Sequence, residues 1–200
     1  LPSIAKSGVD EYWATGYDIS GLNHRSELLK VDLQAGTVEA MGSIGRRTTD
    51  LAFHAGELFA VLYRPSTTST ERYGTINLDN AGFSGRNAQA GLQADFHAMA
   101  SGGPLSLVLA SHNDRAPIRL TVASGTHSEV FPQPKTASTR NVRSMTRYQG
   151  RTFGVRQGPP ELPAPGGPGS SKTMLFELDS ETESYRDMAA LPDDSHGIVN

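Results

Sequence analysis

The stretch TDLAFHAGELFAV (49–61) sets the local pattern of the chain. Leu51 and Phe53 are apolar positions ahead of the turn dipeptide Ala55-Gly56. Beyond it, Leu58 and Ala60 fall on one face and Phe59 and Val61 on the other. Period-two alternation on either side of a glycine turn predicts a β-hairpin. Short apolar runs of this kind recur along the chain between Gly, Asn, Asp and Ser, and long helical periodicity is absent. The pattern therefore predicts an all-β protein, with a mixed α+β domain as the alternative.

The hairpin is one copy of a repeat. Turn glycines stand at Gly8, Gly56, Gly102 and Gly150, which are 48, 46 and 48 residues apart. Each is followed by a predicted short strand, at 11–15, 57–63, 104–110 and 151–156. A strand–turn–strand element recurs on the same beat in LLKVDLQAGTVEAMG, GTINLDNAGFSGRNA, IRLTVASGTHSEVFP and MLFELDSETESYRDM. The segments between copies also begin alike, as RRTTDLAF, LQADFHAM, TRNVRSMT and PDDSHGIV.

Four strands in a unit of this length is the size of a propeller blade, whose known repeats fall at roughly 40–50 residues. Over its whole length the chain resembles a β-propeller. The Trp-Asp signature of WD40 repeats, the sialidase Asp-box and the hemopexin signature are absent, so the resemblance is to the architecture alone. It implies a single domain over 1–200, with blades at about 1–45, 46–92, 93–138 and 139–192. Residues 193–200 are expected to lie beside 11–15, so that the C-terminal strand closes the first of four four-stranded blades. Residues 1–6, short and carrying Pro2, make a poor innermost strand in this scheme. The alternatives are a fifth blade started by the tail, in a larger propeller, and a β-sandwich of similar hairpins.

With strands lettered A to D from the axis outward, the A–B and C–D turns are short. The B–C loops, at 17–26, 64–72, 111–116 and 156–172, all exceed the roughly 2–5 residues a hairpin needs. Long loops on a rigid scaffold place the working face at this rim, although the Pro/Gly-rich 157–171 stretch also reads as an insertion. The D–A connections reach the same rim and bring polar strand-A starts toward the axis: Arg47, Asp50, Asp95, His97, Arg140, Asn141, Arg143, Asp194 and His196. Among the loop residues, His24 and His112 join them, with Arg156 at the edge of the last loop.

This set has three uses. Arg47, Arg140 and Arg143 match the geometry of carboxylate or phosphate, or else pair with Asp50, Asp95 and Asp194 in a structural belt. His97 and His196 with Asp95 or Asp194 would share a metal ion on the axis, though no HExxH or His-x-His spacing accompanies them. His97 or His196 would act as general acid or base while Arg143 steadies developing negative charge. No G-x-S-x-G elbow is present, and APGGPGSSK lacks phosphate-loop spacing. The leading expectation is a module that binds a small anionic or polyhydroxylated molecule. The alternative is a cofactor-free lyase, isomerase, cyclase or hydrolase in the same pocket. His54 and His127 are expected to be structural or solvated, and Tyr12 and Trp13 to pack between blades rather than stack on sugar.

Composition narrows this further. The chain has no cysteine, which removes disulfides, thiolate nucleophiles and Cys-ligated zinc. A net charge of -3 argues against a nucleic-acid partner. No apolar run approaches the roughly 18 residues of a membrane-spanning helix. The Leu-Pro-Ser start reads either as a mature product after signal removal, secreted or periplasmic, or as a trimmed chain.

Overall fold

The computed structural model describes residues 3–8, 10–17, 25–63, 71–87, 96–111, 117–129, 142–160, 171–179 and 184–191. These residues are all β, with four antiparallel four-stranded sheets whose strands neighbour one another in chain order. Blade one holds β1 (Ile4–Lys6), β2 (Glu11–Tyr17), β3 (Ser26–Asp32) and β4 (Thr37–Ser43). Blade two holds β5 (Thr48–His54), β6 (Glu57–Leu62), β7 (Glu71–Ile76) and β8 (Phe83–Asn87). Blade three holds β9 (Phe96–Gly103), β10 (Ser106–Ser111), β11 (Ile118–Thr121) and β12 (His127–Glu129). Blade four holds β13 (Val142–Tyr148), β14 (Arg151–Pro160), β15 (Ser171–Asp179) and β16 (Ser184–Leu191). The blades are arranged as a β-propeller, the inner strands β1, β5, β9 and β13 packing in succession around the axis.

The turns explain the tight A–B rim. Ala55 and Gly56 have φ of 49° and 83°, and Gln149 and Gly150 have 48° and 81°. Positive φ at both central residues belongs to the two-residue type I′ turn, whose twist matches that of the strands it joins. Blade three departs from the expected pattern. Gly102 lies inside β9, and the turn falls at 104–105.

Blade one corrects a second expectation. Its innermost strand is Ile4–Lys6, paired as Ile4 with Ala14, Ala5 with Trp13 and Lys6 with Tyr12. That is the place expected for 193–200, which lie outside the described residues. Ala5, 1% exposed, anchors the strand against blade two.

Among the described residues, the core forms three joints. Ala5, Trp13 and Leu28 of blade one meet Leu51, Leu58, Ala60 and Ile76 of blade two. Phe59, Val61 and Tyr73 of blade two meet Met99, Leu107, Leu109 and Leu120 of blade three. Ala98, Ala100, Val108 and Ala110 of blade three meet Val142, Met145, Phe176 and Leu178 of blade four. The apolar residues on both faces of 58–61 thus serve two joints at once. Trp13 packs between blades as expected, and Tyr12 lies half-buried on the opposite face of the sheet.

The sequence period reappears as hydrogen bonds between inner strands. Thr49 Oγ1 donates to Phe96 O (3.0 Å), Ser3 Oγ donates to Asp50 Oδ1, and His54 Nδ1 bonds Ser101 Oγ (2.9 Å), each spanning 47 residues.

Candidate functional site on the propeller axis

At the long-loop end of the axis, three inner strands break register at the same level. The β5–β6 pairing steps from Thr48 to Asp50 and skips Thr49. The β9–β10 pairing steps from Ala98 to Phe96 and skips His97. The β13–β14 pairing steps from Val142 to Ser144 and skips Arg143. A bulge leaves the extra residue out of the ladder, turns its side chain away from the regular alternation and bends the strand. Blades two, three and four therefore each re-aim one polar residue at one level.

Beside the bulges, Arg47 lies with its Cζ 3.8 Å from the centroid of the Tyr63 ring, a cation–π stack. Tyr63 meets the His97 ring edge-on, with centroids 6.4 Å apart and planes at 77°. Tyr63 N–H also donates to Arg47 O at 2.8 Å. Arg47, from the start of blade two, and His97, from blade three, are thus brought together through a tyrosine that no sequence signal singled out. Arg143 is half-buried at the equivalent place in blade four.

Asp50 has a different position from its neighbours. It is 3% exposed and lies among the inner strands rather than on an open pocket wall. Leu51 N–H donates to its Oδ1 at 2.9 Å, and Met99 N–H donates to its Oδ2 at 2.7 Å. Ser3 Oγ, which donates to the same carboxyl, itself accepts from Leu51 N–H at 2.9 Å. One side chain thereby ties blades one, two and three. Burial pushes its pKa up from 3.8 to about 7, against the opposing pull of the hydrogen bonds from Ser3, Met99 and Leu51.

Asp95, Arg140, Asn141, Asp194, His196, His24 and His112 lie outside the described residues, as do most of the B–C loops. Among the described residues, no three His, Asp or Glu side chains converge as a metal site. Arg156 is placed differently from its expected rim position. It is 1% exposed within β14, and its Nε donates to Asp187 Oδ1 at 3.0 Å while Nη2 bonds Oδ2. The extension of β14 to Pro160 draws it into the sheet.

The opposite, short-turn end holds a cavity of about 670 Å³. All four blades line it, through Lys6, Ser7 and Gly8, through Ala52 and Phe53, through Ala100 and Ser101, and through Thr146, Arg147, Gln149 and Gly150. Arg147 Nη1 donates to Ser101 O at 3.4 Å. His54, 6% exposed, sits behind this wall, its ring bonded to Ser101 Oγ and edge-on to Phe59 at 6.1 Å. Burial and then the charge of Arg147 hold its pKa below the usual histidine range, with Glu57 pulling the other way. The structural role expected of His54 fits this packing.

Comparison with known proteins adds the fold alone. No protein-family model and no curated protein matches the chain. Among solved structures, it is similar to the crystal structure of a structural-genomics protein of unknown function from Bacteroides thetaiotaomicron VPI-5482, with a TM-score of 0.53 and 11% identity. The match covers 98% of this chain and 60% of that one, so this chain spans about three-fifths of the other's length. Among the described residues, no helix is long and apolar enough to cross a membrane.

Proposed function

We propose that this propeller binds a small anionic or polyhydroxylated molecule on its axis, at the end where the long loops leave the blades. The observation that supports this reading is the bulge repeated in β5, β9 and β13. The A–B pairing is broken at one level in three successive blades, which takes Thr49, His97 and Arg143 out of the regular alternation together. The Arg47–Tyr63–His97 stack extends this polar group with an aromatic surface. Guanidinium groups suit carboxylate or phosphate oxygens, while hydroxyl, imidazole and tyrosine suit a polyol.

Calorimetric titration with citrate and with a neutral disaccharide distinguishes the two ligand classes. Arg143→Ala is expected to weaken anion binding by roughly tenfold or more, the scale of a lost hydrogen bond to a charged group. His97→Ala is expected to weaken binding of whichever class associates. Unchanged affinities in both variants, with the fold intact by circular dichroism, would remove this reading.

A further inference from the structure

We infer that the short-turn end of the axis is a second binding site, selective for a small oxyanion, with Arg147 and Lys6 as its cationic groups and the hydroxyls of Ser7, Ser101 and Thr146 around them. The cavity lies at the end of the inner strands opposite the bulges at Thr49, His97 and Arg143 and includes none of those three residues. Its volume, about 670 Å³, falls within the range of small-molecule pockets.

The charge balance decides the ligand class. Among the described residues, two cations line the cavity and no carboxylate does. The two acidic residues that begin strands at this rim are engaged elsewhere. Glu11 pairs with Lys30 at 3.1 Å and Glu57 with Arg86 at 3.1 Å. Asp10, exposed on the blade-one turn, is not part of the lining. The described lining therefore carries net positive charge in a concave site, where field lines concentrate. A cation would be repelled, and a neutral ligand would leave that charge unused.

Arg147 is also pre-positioned. Its Nη1 bond to Ser101 O holds the guanidinium across the gap between blades three and four. The remaining guanidinium N–H groups form a fork that suits two oxygens of a carboxylate or phosphate. Lys6, exposed at the end of β1, supplies a point charge from the blade-one side.

His54 reports on this site from behind its wall. It is bonded to Ser101, packed on Phe59, and subject to the charges of Arg147 and Glu57. An anion held at Arg147 offsets the guanidinium field, so it is expected to raise the His54 pKa. The experiment is a histidine-selective NMR titration of the whole chain with inorganic phosphate, citrate and glycerol. Phosphate or citrate is expected to shift the His54 signals saturably and raise their titration midpoint, while glycerol does neither. If both anions shift His54, the site recognises oxyanion chemistry in general; if one does, it selects carboxylate or phosphate. Arg147→Ala and Lys6→Ala are each expected to weaken that binding by about tenfold. A His54 signal indifferent to both anions overturns the proposal. So does undiminished binding in the Arg147→Ala variant, whose folding is checked by its amide spectrum. Because His54 lies at the short-turn end, its response is separate from the titration that tests the long-loop end.

Discussion

Two buried carboxyls show how little residue type alone determines. Glu177, on β15, is 5% exposed. Burial by itself would push its pKa up, but hydrogen bonds and charge from Arg186 and Arg151 outweigh this and hold it below the usual range. Asp50 receives a hydroxyl and two amides, and burial prevails, raising it to about 7. The sign of the linkage follows. A folded-state value above the unfolded one means that the native state binds the proton more tightly. Asp50 therefore contributes stability that is complete below about pH 4 and is lost as pH rises through about 7, with a slope of up to about 1.4 kcal/mol per pH unit in between. Asp50→Asn removes the titration. The variant is expected to gain on the parent as pH rises from 5 to 8, whatever its starting deficit. Urea midpoints at pH 5, 6, 7 and 8 measure the gap, and a gap constant across that range would show that Asp50 stays ionised. Sequence reasoning placed Asp50 at a strand-A start but could not tell an open pocket wall from a three-blade junction, because Ser3 and Met99 meet it only in the fold.

At the scale of elements, the legible features were those set by local chemistry. Turn glycines, alternation and the 46–48-residue beat were enough for hairpins, blades and the orientation of both rims. The features missed depend on pairing across strands. Bulges at Thr49, His97 and Arg143 are register events, and they leave no mark in composition. Gly154 is another case. In a strand it reads as a weak point. In the sheet it faces Phe176 across the β14–β15 ladder, and a Cβ there would overlap the Phe176 ring, which is fully buried in the joint between blades three and four. The ring has no free side to swing toward. Gly154→Ala is therefore expected to destabilise the protein by about 1–3 kcal/mol through overpacking, despite alanine's better strand propensity. Pairing it with Phe176→Leu, which shortens the overlapping side chain, should recover part of that loss. Denaturant unfolding of the single and double variants measures the coupling, and additive effects would refute the contact.

Across the whole molecule, stability is distributed by neighbours. Each blade is covered only by the blades beside it, so the array behaves as repeats held by nearest-neighbour joints. Blades two and three each contribute to two of the three described joints, and blade one to one. The register makes the difference visible position by position. In blade two, Leu58 pairs with Ile76, and they are 0% and 4% exposed. The corresponding face of blade one carries Tyr12 opposite Val31 and Val31 opposite Val38, of which the first two are half-buried and the last is 65% exposed. Among the described residues, opening β3 and β4 therefore sacrifices one fully buried face, whereas opening β6 or β10 disrupts two. Local unfolding free energies follow such differences in buried apolar contact. Native-state hydrogen exchange in mild denaturant is expected to show the amides of β6 and β10 exchanging only with global unfolding, and those of β3 at least roughly tenfold faster through a smaller opening. The comparison is between strands with both neighbours paired, so fraying at sheet edges does not account for it. Protection in β3 equal to that in β6 would mean that the less buried face of blade one costs nothing, and the joints could no longer be treated as the units that hold the propeller together.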